Sequence, residues 1–244
     1  MYWASRVTRS ACLAALLAGP VSAWSGSLSV SPIRLDLSAR QRVASVVMRN
    51  AGSEPSVVQV EVSGWAQSDN QDIYGETQDL LVTPPIFTIP PGGSQVIRVG
   101  LRRAQDPALE LSYRVFMQEL PPPAGPGFQG LQMALRIGVP VFVAASARPR
   151  SELRWSAAAS GDSVKLVLEN GGTAHLRIVD VALTAAGGKN AATVAHIPTY
   201  VLPGQRHEWL LKLSTPAKVG ATFQVQAHTD SGSELDARLT LDAS

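Results

Sequence analysis

The chain contains a single cysteine in 244 residues, at position 12. A lone thiol excludes an internal disulfide and a cysteine-built zinc site. Charge is sparse as well. Asp, Glu, Lys and Arg make up 16% of the residues, 21 basic against 19 acidic, and that near balance gives no general nucleic-acid footprint. Beyond residue 24 no apolar run is long enough to cross a bilayer as a helix, so no membrane insertion is expected. Long amphipathic helical patterns are missing too. In their place stand short alternating runs divided by Gly, Pro, Asn and Ser, which predict an all-β chain.

Residues 1–23 read as a secretory signal. Arg6 and Arg9 supply a positive n-region, residues 11–18 (ACLAALLA) a short apolar core, and Val21-Ser22-Ala23 small residues at a cleavage site. Cys12 precedes the end of the apolar run, which disfavours a lipid anchor. Cleavage after Ala23 removes the only cysteine and two arginines, leaving 19 basic against 19 acidic residues. An exported chain of this kind holds together without disulfides. The remaining ~220 residues suffice for one large domain or two of roughly 100–120.

The rest of the chain is organised around residues 131–143, LQMALRIGVPVFV. Leu131, Met133, Leu135, Ile137 and Val139 alternate with Gln132, Ala134, Arg136 and Gly138, a period of two that predicts a long strand with one row of apolar plugs. Two readings are open. The row lies in the strand's own core, or an exposed edge strand is offered to a partner whose sheet it completes.

Before it, residues 28–37 alternate but are interrupted by Pro32, which predicts an edge strand or a switch between sheets. Arg34 stands among these apolar positions, as a snorkelled surface arginine or as a cation at the bottom of a cleft. Residues 42–49 and 56–65 are strands, the first closing at an Asn50–Ser53 turn. Trp65 has the wrong parity for its apolar row unless Gly64 bulges. Residues 67–78 are polar, lack calcium-loop spacing, and are expected as a solvated loop. Extended segments at 80–89, a Pro-Pro-Gly-Gly turn, and strands at 95–101 and 112–120 follow. Residues 121–130 (PPPAGPGFQG) are a protruding loop that delivers the chain into Leu131.

Residues 144–150 are small, proline-containing and basic, and mark a junction. A second set of strand signals begins at residue 152 and suits a second sandwich. The halves echo one another: each has a strand ending at an asparagine (Asn50, Asn170) and a Pro-Gly turn before another strand (Pro91-Gly92, Pro203-Gly204). The four histidines, His175, His196, His207 and His228, are isolated and offer no metal-ligand spacing. No serine sits in a nucleophile elbow, and the glycine pairs open no helix. No enzyme, cofactor or metal is expected.

With these residues in place the sequence resembles the periplasmic pilus-assembly chaperones of the chaperone–usher pathway, across residues 24–244. The resemblance is carried by Arg34, Asn50, Thr83-Pro84-Pro85-Ile86, Pro90-Pro91-Gly92, Val96-Ile97-Arg98-Val99, Tyr113-Arg114-Val115-Phe116, Glu119-Leu120-Pro121-Pro122 and the strand 131–139. It implies two immunoglobulin-like β-sandwiches in an L shape: a chaperone domain over 24–146 with its donor strand at 131–143, a hinge at 147–150 and a second domain over 151–244. The implied function is ATP-free donor-strand complementation in the periplasm. The plugs Leu131, Met133, Leu135, Ile137 and Val139 enter the groove of a pilus subunit that lacks its last strand, and an outer-membrane usher later exchanges them. Four or five such side chains contribute roughly 6–12 kcal/mol before ordering costs.

The family anchors the subunit's C-terminus on two basic residues. Arg34 matches the first. The second, normally a lysine, falls at Pro140, so Arg136 and then Arg98 are the candidate substitutes. The ending Gly138–Val143 is closer to the archaic or spore-coat-like branch than to the P-pilus type. An exposed plug row implies self-capping, by a dimer or by the 121–130 loop. The competing reading is an extracytoplasmic two-domain adhesion or structural binding protein whose strand 131–139 is only core.

Overall fold

The computed structural model describes residues 28–104, 106–121, 131, 133–185, 191–194, 198–213 and 218–242. The expected signal segment, Gln132, His196 and most of the 121–130 loop lie outside these residues, as does any capping by that loop.

Four sheets form two β-sandwiches. In the first, one sheet has the order β1 (Leu28–Ser31), β3 (Val43–Asn50), β8 (Ser94–Leu101), β6 (Leu80–Thr83). The facing sheet runs β2 (Leu35–Leu37), β10 (Arg136–Val143), β9 (Leu111–Leu120), β4 (Ser56–Ser68), β5 (Gln71–Glu76), with β7 (Ile86–Ile89) also on β4. Alternation along each strand sends one parity inward, and the two inner rows meet in a core that includes Val46, Met48, Val60, Ile97, Val115, Met117 and Val141. The chain does switch sheets at Pro32: β1 pairs antiparallel with β3, whereas β2 pairs parallel with β10.

The second sandwich stacks β11 (Leu153–Ser160), β12 (Ser163–Asn170) and β16 (Arg206–Lys212) on a sheet of β14 (Ala191–Val194), β13 (Leu176–Ala185), β17 (Thr222–Thr229) and β18 (Glu234–Thr240), with β15 (Thr199–Val201) on β13. Its core is separate, built on residues such as Leu166, Leu168, Ile178, Leu183 and Phe223.

Three expectations change. Residues 67–78 are not a loop. Most of them form the tip of the β4–β5 hairpin, turning at Asp69 and Asn70, both with positive φ. All six residues of β5 are exposed, so no apolar alternation announced it. Trp65 needs no bulge, because the β4 ladders run through Gly64 without a register shift. It lies on the outer face and is buried there with Phe142 and Leu202, joined by Tyr200, in a third cluster between the sandwiches. Finally, the strand expected at 131–143 begins only at Arg136. Pairing with β9 stops at Gln118, and the alternating pattern continues further than the ladder does.

Candidate functional site

Strand β10 has two unlike halves. Residues 141–143 lie between β9 and β2, while residues 136–140 have only β9 beside them among the described strands. The register decides which backbone groups are free. Glu119 N–H donates to the Leu135 carbonyl at 2.8 Å, so 135 and the odd residues after it bond to β9. Arg136, Gly138 and Pro140 therefore turn their backbone outward. Pro140 loses nothing to β9 by lacking an N–H, but it ends the row of donors on the open edge.

The odd side chains face the core. Val139 is 1% exposed and Leu135 and Ile137 are half-buried against the same core, whereas Leu131 and Met133 are 86% and 79% exposed. Of the five expected plugs, then, two project freely, two are shared with the chain's own sandwich, and Val139 is spent on it. The core reading fits the half from Val139 onward; the half before it is left exposed or half-buried.

The even face of β10 looks toward the second sandwich. Gly138 leaves room for the Phe116 ring, which a Cβ would approach to 3.1 Å, and the Arg136 guanidinium stacks on that ring at 4.1 Å. Phe142 stacks on His175 of the second sandwich at 3.5 Å between ring centroids, and His175 Nδ1 lies 2.6 Å from Glu110 Oε1.

Arg34 stands one step before the β2–β10 pairing begins, beside Pro140 in register, and on the outer face because Leu35 and Leu37 point inward. On the far side of Pro140 its partner across β9 is Arg114. The Arg34 Nη1 donates to Asp230 Oδ2 at 2.9 Å and its Nε to Asp36 Oδ2 at 3.1 Å. Burial works against the Arg34 charge, but Asp36 and then Asp230 outweigh it and hold the guanidinium above its ordinary pKa. Tyr200 lies close by, with Arg177 5.2 Å and Arg114 5.9 Å from its ring centroid. Burial pushes the Tyr200 hydroxyl up, against the pull of Arg177, Arg34 and Arg114. The cleft bordered by Trp65, Asp72, Arg114, Tyr200 and His207 encloses about 280 Å³.

The comparisons with known proteins bear on this arrangement. The family model described as pili and flagellar-assembly chaperone, PapD N-terminal domain, matches residues 27–149, half of the chain. The chain belongs to that family. No curated protein matches it. Among solved structures, this chaperone is similar to the CsuC–CsuE chaperone–tip adhesion subunit pre-assembly complex from archaic chaperone-usher Csu pili of Acinetobacter baumannii. The identity is 20% and the TM-score 0.65, over 88% of this chain and 99% of that one. The Salmonella enterica SafA pilin in complex with the SafB chaperone matches at 20% identity and TM-score 0.61, over 90% and 99%. The Pseudomonas aeruginosa CupB2 chaperone matches at 17% and 0.56, over 88% and 100%. At these identities the likeness is one of fold.

Of the three arginines singled out in the sequence, the fold does not bring Arg136 or Arg98 to Arg34. Arg136 has the parity of Pro140 but sits four residues up the strand, about 13 Å away along β10. Arg98 is exposed on β8, in the facing sheet, between Ser45 and Thr83. Parity gives a face and not a level along it. The residues that do gather near Arg34 are Asp36, Asp230, Arg177, Tyr200 and Arg114. Arg114 was legible as the cross-strand neighbour of Pro140 once the β9–β10 register is assumed. Asp36 is a local neighbour, two residues along the chain, whereas Asp230, Arg177 and Tyr200 come from the second sandwich and carry no local signal. Among the described residues no group of three or more His, Cys, Asp or Glu is placed to hold a metal.

Proposed function

We propose that this chaperone binds a pilus or fimbrial subunit by lending it the edge and apolar row at the start of β10. The observation that carries this reading is the exposure of Leu131 and Met133 directly before a strand whose 136–140 edge has, among the described strands, no neighbour on one side. An incoming extended segment finds outward N–H and carbonyl groups at Arg136 and Gly138, and the alternate side chains enter its groove. Fully burying Leu131 and Met133 contributes roughly 3–6 kcal/mol, with less from the half-buried Leu135 and Ile137.

Arg34 then anchors the subunit's C-terminal carboxylate. An outer-membrane usher receives the complex, with no nucleotide consumed. The place of action is the periplasm, reached through export directed by residues 1–23. The chaperone domain spans 24–146, the hinge 147–150 and the second domain 151–244. The Gly138–Val143 ending supports a place in the archaic or spore-coat-like branch. Self-capping of Leu131 and Met133, by dimerisation or by residues 121–130, protects the free chain.

The test is co-expression with candidate subunits from the same genome, followed by pull-down with wild type and with Leu131→Asp/Met133→Asp. Both positions are exposed, so the double variant is expected to keep the wild-type melting temperature and to lose at least 100-fold in subunit recovery. Undiminished recovery with two charges in the plug row would favour the adhesion or structural reading.

A further inference from the structure

Arg34 is already engaged in this chain, and its two carboxylate partners differ in kind. Asp36 lies two residues away on the same segment and is 60% exposed. Asp230 comes from the other sandwich, and its side chain is only 23% exposed. Its backbone N–H donates to the Arg177 carbonyl at 3.1 Å, and Arg177 Nη1 stands 4.0 Å from the same Oδ2 that Arg34 holds. The Arg177 Nε is buried and has no hydrogen-bond partner among the described residues. Tyr200 faces Arg177 across the β13–β15 pair. A carboxylate thus sits between one guanidinium from each sandwich. Five donors on each leave capacity for a second, better-aligned acceptor.

We propose that this is the seat of the subunit's terminal carboxylate, that Asp230 occupies it in the free chaperone and is displaced on binding, and that Arg177 is the second cation where Pro140 supplies none. The inference rests on Arg34 being the anchor. Two carboxylates crowded into one partly closed seat repel, so the subunit's carboxylate and Asp230 exclude one another. Asp230 follows the last residue of β17 and opens the turn into β18, so rotating its side chain breaks no strand pairing. Its occupancy lowers the apparent affinity by the fraction of time the seat is taken.

The captured subunit, prepared with a free C-terminal carboxylate and with a C-terminal amide, is titrated calorimetrically into the full chain as wild type, Asp230→Asn and Arg177→Gln. Wild type is expected to prefer the free acid. Asp230→Asn should bind the free acid on the order of 3–10-fold more tightly and the amide unchanged. Arg177→Gln should lose most of the preference. Should Asp230→Asn unfold, Asp230→Ser repeats the measurement with a polar side chain at the turn. Equal weakening for both forms in a folded Asp230 variant would make Asp230 a tie between sandwiches and overturn the proposal. A preference that survives Arg177→Gln removes Arg177 from the seat. If wild type binds both forms equally, only the carboxylate seat fails; if it binds neither, donor-strand binding itself fails.

Discussion

Asn50 and Asn170 close β3 and β12 with the same set of bonds. Each is buried, and its Nδ2 donates to two carbonyls, of Glu54 and Ile89 in one case and of Ala174 and Val201 in the other. Each Oδ1 accepts the N–H of the residue two ahead, Gly52 or Gly172. Only a side chain carrying both a two-proton donor and an acceptor can serve such a corner. Replacing either asparagine by alanine leaves buried backbone groups unpaired, each worth about 1–3 kcal/mol. Urea unfolding of Asn50→Ala and Asn170→Ala should therefore each lose about 3 kcal/mol. A loss under about 1 kcal/mol would mean that other groups move in to satisfy those carbonyls.

At the scale of the element, β10 divides its backbone between two tasks. The odd residues are bonded to β9 and carry the core side chains; the even ones, before β2 arrives, face outward. Hydrogen exchange reads this division directly. In the free chaperone the amides of Ile137, Val139 and Val141 should exchange slowly, and those of Arg136 and Gly138 fast. On subunit binding the even pair alone should gain protection, by at least tenfold. Equal protection of 136 through 141 before binding would mean that another segment already covers the edge. Pro140 sets the limit of that edge, since it has no amide to offer.

At the scale of the molecule, the two sandwiches are joined by a built interface. Trp65, Phe142, Leu202 and Tyr200 pack together, with the His175 ring stacked on Phe142. The tip of the β4–β5 hairpin adds polar bonds. Gln67 donates to the Tyr200 carbonyl and accepts from Leu202 N–H, and Asn70 exchanges two bonds with the Glu208 backbone. Phe142 is 1% exposed, and its ring meets His175 and Tyr200 of the other sandwich as well as Trp65 of its own. Phe142→Ala should cost about 3–5 kcal/mol and split one calorimetric unfolding transition into two. A single transition shifted as a whole would show that the polar hairpin contacts suffice for coupling. Because the proposed seat draws Arg34 and Arg177 from different sandwiches, this interface also sets the distance between them.

Much of the fold is legible in the chain alone. Alternation of period two identifies nearly every strand, Pro32 marks the sheet switch, and Asn50 and Asn170 mark equivalent corners, because these features depend on residues a few positions apart. The β4–β5 hairpin was hidden, since β5 is exposed throughout and packs no apolar row. The candidate site was legible in part: the row containing Leu131 and Met133, and the position of Arg34. What the sequence by itself determined is which side chains share a face. Only the tertiary structure decided how far β10 stays paired, which plugs are spent on its own core, and which groups surround Arg34. Those depend on contacts as distant in the chain as Arg34 and Asp230, 196 residues apart, and no local pattern encodes them.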